Sequence, residues 1–185
     1  RNFTNWAIMA QQFTNHHEIR NFYFDGHGGP DWIGYFIETN GNIRTLGSSV
    51  VAQFLGNNVI GNTNATRFRF VWLDTCDSAT GNWPRTFGMG DREDVALTNY
   101  TSRPAVFCGF DREVYGFSGN SISFASINFR SYFQVYWWLF DDPIKNAFQS
   151  AQSQSGFSDA QYLKIYGYWG LHWTEFNTKG EWPLP

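Results

Sequence analysis

Residues 22–29 read Phe-Tyr-Phe-Asp-Gly-His-Gly-Gly, and residues 71–78 read Val-Trp-Leu-Asp-Thr-Cys-Asp-Ser. Each stretch starts with an apolar run that predicts a buried strand. A carboxylate follows the run, and a reactive side chain, His27 or Cys76, stands two residues after that carboxylate. In open α/β sheets the functional groups collect at the carboxyl ends of the strands. If these two strands are neighbours, we expect the imidazole and the thiol to lie side by side at one edge of the sheet.

The rest of the chain alternates helical and strand patterns. Apolar spacings of three and four predict helices, and short apolar runs predict strands. The predicted helices cover residues 6–13, 46–54, 129–140 and 143–156; the further predicted strands cover 68–73, 104–110 and 162–166, with a hairpin between 32 and 42. This order predicts an α/β fold in which helices cover both faces of a mostly parallel sheet. With no internal repeat or linker, residues 1–185 are expected to form one domain.

Composition excludes several classes of protein. Phe, Tyr and Trp make up 20% of the residues and charged residues only 16%, which is unlike a disordered polar chain. The net charge of −3 gives no electrostatic reason to expect a nucleic acid or an anionic membrane as partner. The longest apolar run, residues 135–140, is far below the roughly 20 residues that a membrane span needs.

His27 and Cys76 together are suited to nucleophilic catalysis. A free thiol has a pKa near ~8.5, so a neighbouring imidazole that takes its proton makes it a nucleophile. The glycines beside His27 let a substrate chain approach the backbone closely, and the amides of Gly28 and Cys76 could donate to an oxyanion. These groups suffice for acyl transfer, and they call for no cofactor.

The two blocks resemble the caspase-like cysteine peptidases of clan CD, which include caspases, metacaspases, legumains, gingipains and CHAT domains. Cys76 follows His27 by 49 positions, close to the spacing of about 50 residues in caspases. Gly26-His27-Gly28-Gly29 and Asp74-Thr75-Cys76-Asp77-Ser78 are most similar to metacaspases. The closing segment 162–167, after an Ala-containing helix, is more similar to gingipain-like and CHAT members.

The resemblance implies a cysteine endopeptidase whose partner is a peptide or protein substrate. His27 would be the general base and acid, Cys76 the nucleophile, and the Gly28 and Cys76 amides the oxyanion donors. Asp74 matches a metacaspase acid that binds a basic substrate side chain, which makes cleavage after Arg or Lys a hypothesis. Asp25 and Asp111, which also follow predicted strands, are further candidates for substrate binding.

The chain departs from that family in one feature. The sheet of caspase-like peptidases usually has two strands before the strand that carries the histidine, whereas the residues before Asn21 in this chain predict a helix. We therefore expect the chain to begin inside the domain and an upstream segment or separate chain to complete the sheet.

Several alternatives compete with the peptidase interpretation. The chain could be a catalytically idle caspase-like module of a larger protein, used for structure or binding, or a thiol acyltransferase of the sortase type. Cys76 could form a disulfide with Cys108, and the Gly26–Pro30 stretch could hold a phosphate, although it lacks the Gly-Lys-Ser/Thr ending of a phosphate loop. No metal site is expected, because His16 and His17 are adjacent on a predicted helix and His172 has no partner at ligand spacing.

Composition also indicates a cellular location. Lysine occurs only at positions 145, 164 and 179, Asn and Gly are abundant, and Asn2, Asn64 and Asn99 begin N-x-T sequons. These features favour an extracytoplasmic protein, either secreted or at the cell surface.

Overall fold

A computed structural model of the chain describes residues 20–37, 39–55, 68–89, 104–114 and 124–176. In chain order its strands are β1 Asn21–Asp25, β2 Gly28–Gly29, β3 Trp32–Ile37, β4 Ile43–Gly47, β5 Phe70–Asp74, β6 Val106–Phe110 and β7 Leu163–Gly167. The α-helices are α1 Ser48–Phe54, α2 Trp83–Thr86, α3 Phe124–Gln134 and α4 Ile144–Ser155. A π-helical segment, Val135–Leu139, continues α3, and a 3-10 helix, Ser158–Tyr162, precedes β7.

The main sheet has four strands in the order β1-β5-β6-β7. β1, β5 and β6 are parallel, whereas β7 runs antiparallel to β6. Every residue of β5 and β6 is buried, which explains why both read as continuous apolar runs in the sequence. The fold is therefore α/β with a mixed, mostly parallel sheet, and a small antiparallel sheet, β2-β3-β4, stands beside it.

Aromatic side chains fill the core on one face of the main sheet. Trp72 of β5 lies against Phe133 of α3 and Phe148 of α4 at ring-centroid distances of 5.1 and 5.2 Å. Phe133 and Phe148 stack on each other at 4.1 Å. Side chains of α1 and α2, including Val51 and Trp83, pack with Val71 and the rest of the opposite face. Within the described residues, aromatic side chains thus make up much of the core.

The predicted second helix begins later than expected. Residue 46 was the predicted start of that helix, but Leu46 lies in β4, where it pairs with Ile33 of β3, and α1 begins only at Ser48. The helical spacing of Leu46, Val50 and Phe54 was misleading because antiparallel pairing buries Leu46 while Val50 is exposed. The hairpin prediction is confirmed by the antiparallel pairing of β3 with β4.

The long aromatic helix is confirmed in part, since it divides into α3 and the π-helical segment. Trp137 is buried against Phe70, and Trp138 is half exposed beside Trp173. The helix predicted for residues 6–13 lies outside the described residues. Among the described residues, no helix is long and apolar enough to cross a membrane.

Candidate functional site

The two reactive residues follow neighbouring parallel strands in matched register. Asp25, the last residue of β1, pairs with Asp74, the last residue of β5. His27 and Cys76 each stand two residues beyond this pair, so the chain carries them to the same end of the main sheet. His27 is exposed, whereas Cys76 is partly buried.

The loops that carry the two residues are packed together. A Cβ on Gly28 would lie 2.1 Å from Thr75 Oγ1, so the backbone beside His27 touches the residue that precedes Cys76. A Cβ on Gly81 would lie 1.7 Å from the carbonyl oxygen of Pro30. At both contacts only glycine fits, because any side chain would overlap atoms of the facing loop. The glycines therefore fix the His27 loop against the Cys76 loop.

Hydrogen bonds hold the same two loops in place. The side chain of Asp31 accepts hydrogen bonds from the backbone and side-chain amides of Asn82, both at 3.0 Å, and from the hydroxyl of Ser48 at 3.0 Å. These bonds hold the pKa of Asp31 below its usual value, although partial burial opposes them. The indole of Trp83 donates to the carbonyl of Gly29 at 3.2 Å.

A tight turn presents Cys76 at the end of β5. The Ser78 hydroxyl donates to the carbonyl of Leu73 at 2.8 Å and accepts from the amide of Phe110 at 3.1 Å, which ties the turn to two strands. Asp77 has a φ of 54°, in the left-handed region that Asp tolerates better than most residues. The conformation just after Cys76 is thus fixed by the turn and by its neighbours.

The environment of Cys76 favours the protonated thiol. Its sulfur accepts a hydrogen bond from the amide of Val114 at 3.3 Å and lies 3.6 Å from the carbonyl of the same residue. Partial burial is the largest cause that raises the pKa of Cys76; the charges of Glu113 and Asp77 raise it further, and the Val114 amide opposes them. A reaction at neutral pH would therefore need a base to remove the proton.

Asp74 is buried and already has partners. Its side chain is 1% exposed, it accepts a hydrogen bond from the hydroxyl of Tyr23 at 3.0 Å, and it forms an ion pair with Arg130 of α3. Burial raises the pKa of Asp74 to about 6, while Arg130 opposes the rise. Burial and the charge of Asp74 also raise the pKa of Tyr23.

Sequence reasoning missed Arg130. Its guanidinium meets Asp74 and also donates to the hydroxyl of Ser126, one helical turn earlier. One signal could have found it, because Arg130 is the only charged residue in α3, whose sequence is otherwise apolar or uncharged. A lone charge in such a helix calls for a partner of opposite charge.

The remaining predicted acids stand at the same end of the sheet. Asp25 is exposed, and partial burial raises its pKa while the charge of Arg130 opposes the rise. Asp111 follows β6, and its carboxylate lies 3.4 Å from Lys164 Nζ of β7. Arg112, next in the chain, lies over the ring of Tyr162 at 4.6 Å.

Cys76 and Cys108 are both free thiols in the structure. Cys108 is fully buried in β6, and burial raises its pKa well above the usual value. Its surroundings are those of a core residue. The structure thus does not contain the Cys76–Cys108 disulfide considered from the sequence.

Within the described ranges, no group of three or more His, Cys, Asp or Glu side chains could hold a metal ion. His16 and His17 lie outside those ranges. The ring of His172 contacts the backbone carbonyl of Asp141 at the far end of the sheet.

A groove adjoins the two loops. It has a volume of about 440 Å³ and is lined by Pro30, Asp31, Ala79, Thr80, Gly81, Asn82, Pro84, Arg85 and Tyr166. Two of its lining residues, Pro30 and Ala79, lie three positions after His27 and Cys76 in the chain.

Compared with models of known protein families, the chain matches none, and no curated protein matches it in sequence.

Proposed function

We propose that this chain is a caspase-like cysteine endopeptidase that acts through a dyad of His27 and Cys76. One observation carries the proposal: Asp25 and Asp74 pair in register at the ends of parallel strands, so the reactive residues occupy equivalent positions beyond them. The close approach of Gly28 to Thr75 supports it, because the two loops are held together. The resemblance of both blocks to clan CD peptidases supplies the choice of reaction.

In the proposed mechanism His27 takes the proton from the Cys76 thiol, and the sulfur attacks the scissile carbonyl carbon. The Gly28 and Cys76 amides donate to the oxyanion that forms. His27 then gives its proton to the leaving amine, the C–N bond breaks, and a thioester joins the substrate to Cys76. Water, deprotonated by His27, attacks the thioester and releases the acid with the free thiol. No cofactor takes part in these steps.

The raised pKa of Cys76 makes the base essential to this mechanism. A thiol of ordinary pKa is already a few per cent thiolate at neutral pH, and a raised pKa reduces that fraction. The groove between the Pro30–Asp31 and Ala79–Asn82 segments is our candidate for the path of the peptide chain. Cleavage after a basic residue remains a hypothesis. It requires that the ion pair between Asp74 and Arg130 break, so that Asp74 can bind the substrate side chain.

A peptide or protein substrate is the partner that the proposal requires. A further segment or chain that pairs with β1 is a second proposed partner, since β1 is an edge strand within the described part of the main sheet. The extracytoplasmic location remains a proposal that rests on composition.

Covalent labelling with an electrophilic peptide tests the dyad. We expect the unmodified chain to be labelled at Cys76 under reducing conditions, as located by mass spectrometry. Cys76→Ala should not be labelled, and His27→Ala should be labelled far more slowly. Cys108→Ala is the matched control, because it removes the buried thiol and should leave labelling intact. Labelling at Cys108, or equal labelling of the His27→Ala variant, would count against the proposal.

One observation favours a second function, the catalytically idle binding or structural module. The Cys76 sulfur is engaged by the Val114 backbone, and its pKa is raised rather than lowered. If the idle module is correct, the folded, reduced chain will react with no peptide electrophile, although denaturation will expose two titratable thiols. If instead an added amine captures the acyl group more often than water does, the chain is a sortase-type acyltransferase.

A further inference from the structure

The side chain of Arg130 lies at the end of the main sheet where Asp25 and Asp74 stand, and it pairs with Asp74. Its side chain is 14% exposed and bonds through its guanidinium to the carboxylate of Asp74 and the hydroxyl of Ser126. A guanidinium matches a carboxylate in charge and shape better than any other side chain does. Asp74 is therefore occupied by the kind of group that an arginine substrate would present.

The occupied carboxylate lies beside the reactive residues. Asp74 stands two residues before Cys76, and its register partner Asp25 stands two residues before His27. Side chains alternate along a strand, so Asp25 faces the same side as Tyr23, whose hydroxyl donates to Asp74. Arg130 thus reaches, from α3, the two carboxylates that end the strands leading into the His27 and Cys76 loops.

A basic substrate side chain would have two routes to these acids, and Arg130 obstructs both. To bind Asp74 it would have to displace Arg130 and leave that guanidinium without its buried partner. To bind Asp25 alone it would have to bring a second positive charge close to Arg130, which interacts electrostatically with Asp25. An uncharged side chain meets neither penalty.

We propose that Arg130 is a specificity-determining residue, an internal guanidinium that competes with basic substrate side chains for Asp25 and Asp74. The site as built then prefers an uncharged residue before the scissile bond. Removal of the guanidinium would open the two acids to arginine. This inference rests on the proposed peptidase function and extends it to the class of substrate.

The test compares two peptide electrophiles that differ only in the residue before the reactive group, arginine or citrulline. Citrulline has nearly the same shape as arginine and no charge. We expect the unmodified chain to react faster with the citrulline probe. In Arg130→Ala the ratio of arginine to citrulline rates should rise by at least about tenfold. Arg130→Lys, which keeps the positive charge, should stay close to the unmodified chain.

Arg44→Ala is the matched control, since it removes one positive charge from an exposed position on β4. Its rate ratio should not change. Arg130→Ala with Asp74→Asn removes both partners of the ion pair and leaves only Asp25, so it should gain less of the preference for arginine than Arg130→Ala does. A ratio that is unchanged in Arg130→Ala, or equally raised in Arg44→Ala, would overturn the inference and leave the peptidase intact.

A second measurement needs no catalysis. If Arg130→Ala leaves a guanidinium site beside Asp74, ethylguanidinium should raise the melting temperature of this variant more than the neutral ethylurea does. In the unmodified chain the two compounds should have equal effects. Equal effects of the two compounds would contradict the inference. If no form of the chain reacts with either probe, the peptidase proposal fails and the specificity role fails with it, whatever the melting temperatures show.

Discussion

An arginine side chain lies at each end of β5, and the two arginines are satisfied in different ways. Arg69, just before the strand, donates to the backbone carbonyls of His172, Trp173 and Glu175 at 2.8 to 2.9 Å. Its guanidinium also lies over the rings of Trp137 and Trp173. Arg130 instead meets an ionisable carboxylate at the strand's last residue, Asp74.

The partners of the two arginines differ in whether they titrate. Backbone carbonyls and indole rings do not titrate, so Arg69 ties the segment after β7 to the sheet at every ordinary pH. The partner of Arg130 titrates, stands two residues before Cys76 and, under the proposed function, could bind a substrate side chain. The amino end of β5 is built to be stable, whereas its carboxyl end keeps charged groups close to a thiol.

The largest effect expected is loss of the Arg69 contacts. Arg69→Ala leaves three backbone carbonyls without this donor and removes two cation–π contacts, so we expect the free energy of unfolding to fall by about 4 kcal/mol. Urea denaturation measures it, with Arg44→Ala as the control at within about 0.5 kcal/mol. The loss should be the same at about pH 5 and about pH 7.5; a strong pH dependence would show that the two arginines are not different in kind.

Arg130→Ala should cost about 3 kcal/mol at neutral pH, because it leaves the Asp74 carboxylate buried without its ion-pair partner. Burial already raises the pKa of Asp74 to about 6, and loss of Arg130 raises it further. The native state of the variant therefore takes up this proton at a higher pH than the unmodified native state does, while the unfolded state, with its ordinary pKa near ~3.9, takes up none in this range. The cost should shrink between about pH 7.5 and about pH 5, as followed by urea denaturation at each pH. A constant cost would contradict this account of Asp74.

Gly28→Ala tests the contact between the two reactive loops. Its Cβ would overlap Thr75 Oγ1, so one loop must move, and we expect a loss of about 2 kcal/mol in the free energy of unfolding. Gly47→Ala is the matched control, because the atoms nearest its Cβ are 3.8 Å away. That variant should stay within about 0.5 kcal/mol. Similar losses in the two variants would mean that the loops are not closely packed.

The smallest effect concerns the charges around Cys76. The carboxylate of Glu113 raises the pKa of the thiol, so Glu113→Gln should increase the thiolate fraction. We expect alkylation of Cys76 by iodoacetamide at neutral pH to accelerate about threefold. Asp142→Asn, which removes a carboxylate beyond the π-helical segment, should leave the rate unchanged. Slower alkylation of Glu113→Gln would contradict the prediction that the Glu113 charge raises the pKa of the thiol.

The sequence was most informative about β1 and β5, because buried parallel strands appear as continuous apolar runs whose ends are marked by polar residues. The matched positions of Asp25 and Asp74 followed from those runs. Leu46 was misassigned because its burial depends on pairing with Ile33, a contact that helical spacing cannot reveal. The contact of Cys76 with Val114 and the ion pair of Asp74 with Arg130 join residues far apart in the chain. The lone charge of α3 signals that Arg130 needs a partner, but no local pattern identifies that partner as Asp74.

The dependence of Cys76 reactivity on His27 tests the central claim most directly. The rate constant for labelling of Cys76 by a peptide electrophile should be measured in the unmodified chain and in His27→Ala, with circular dichroism to verify that both are folded. Because the thiol pKa is raised, we predict that the variant loses a factor of about 100 or more, the typical contribution of a general base. Equal rate constants in the two folded proteins would contradict the dyad, and with it the proposed peptidase.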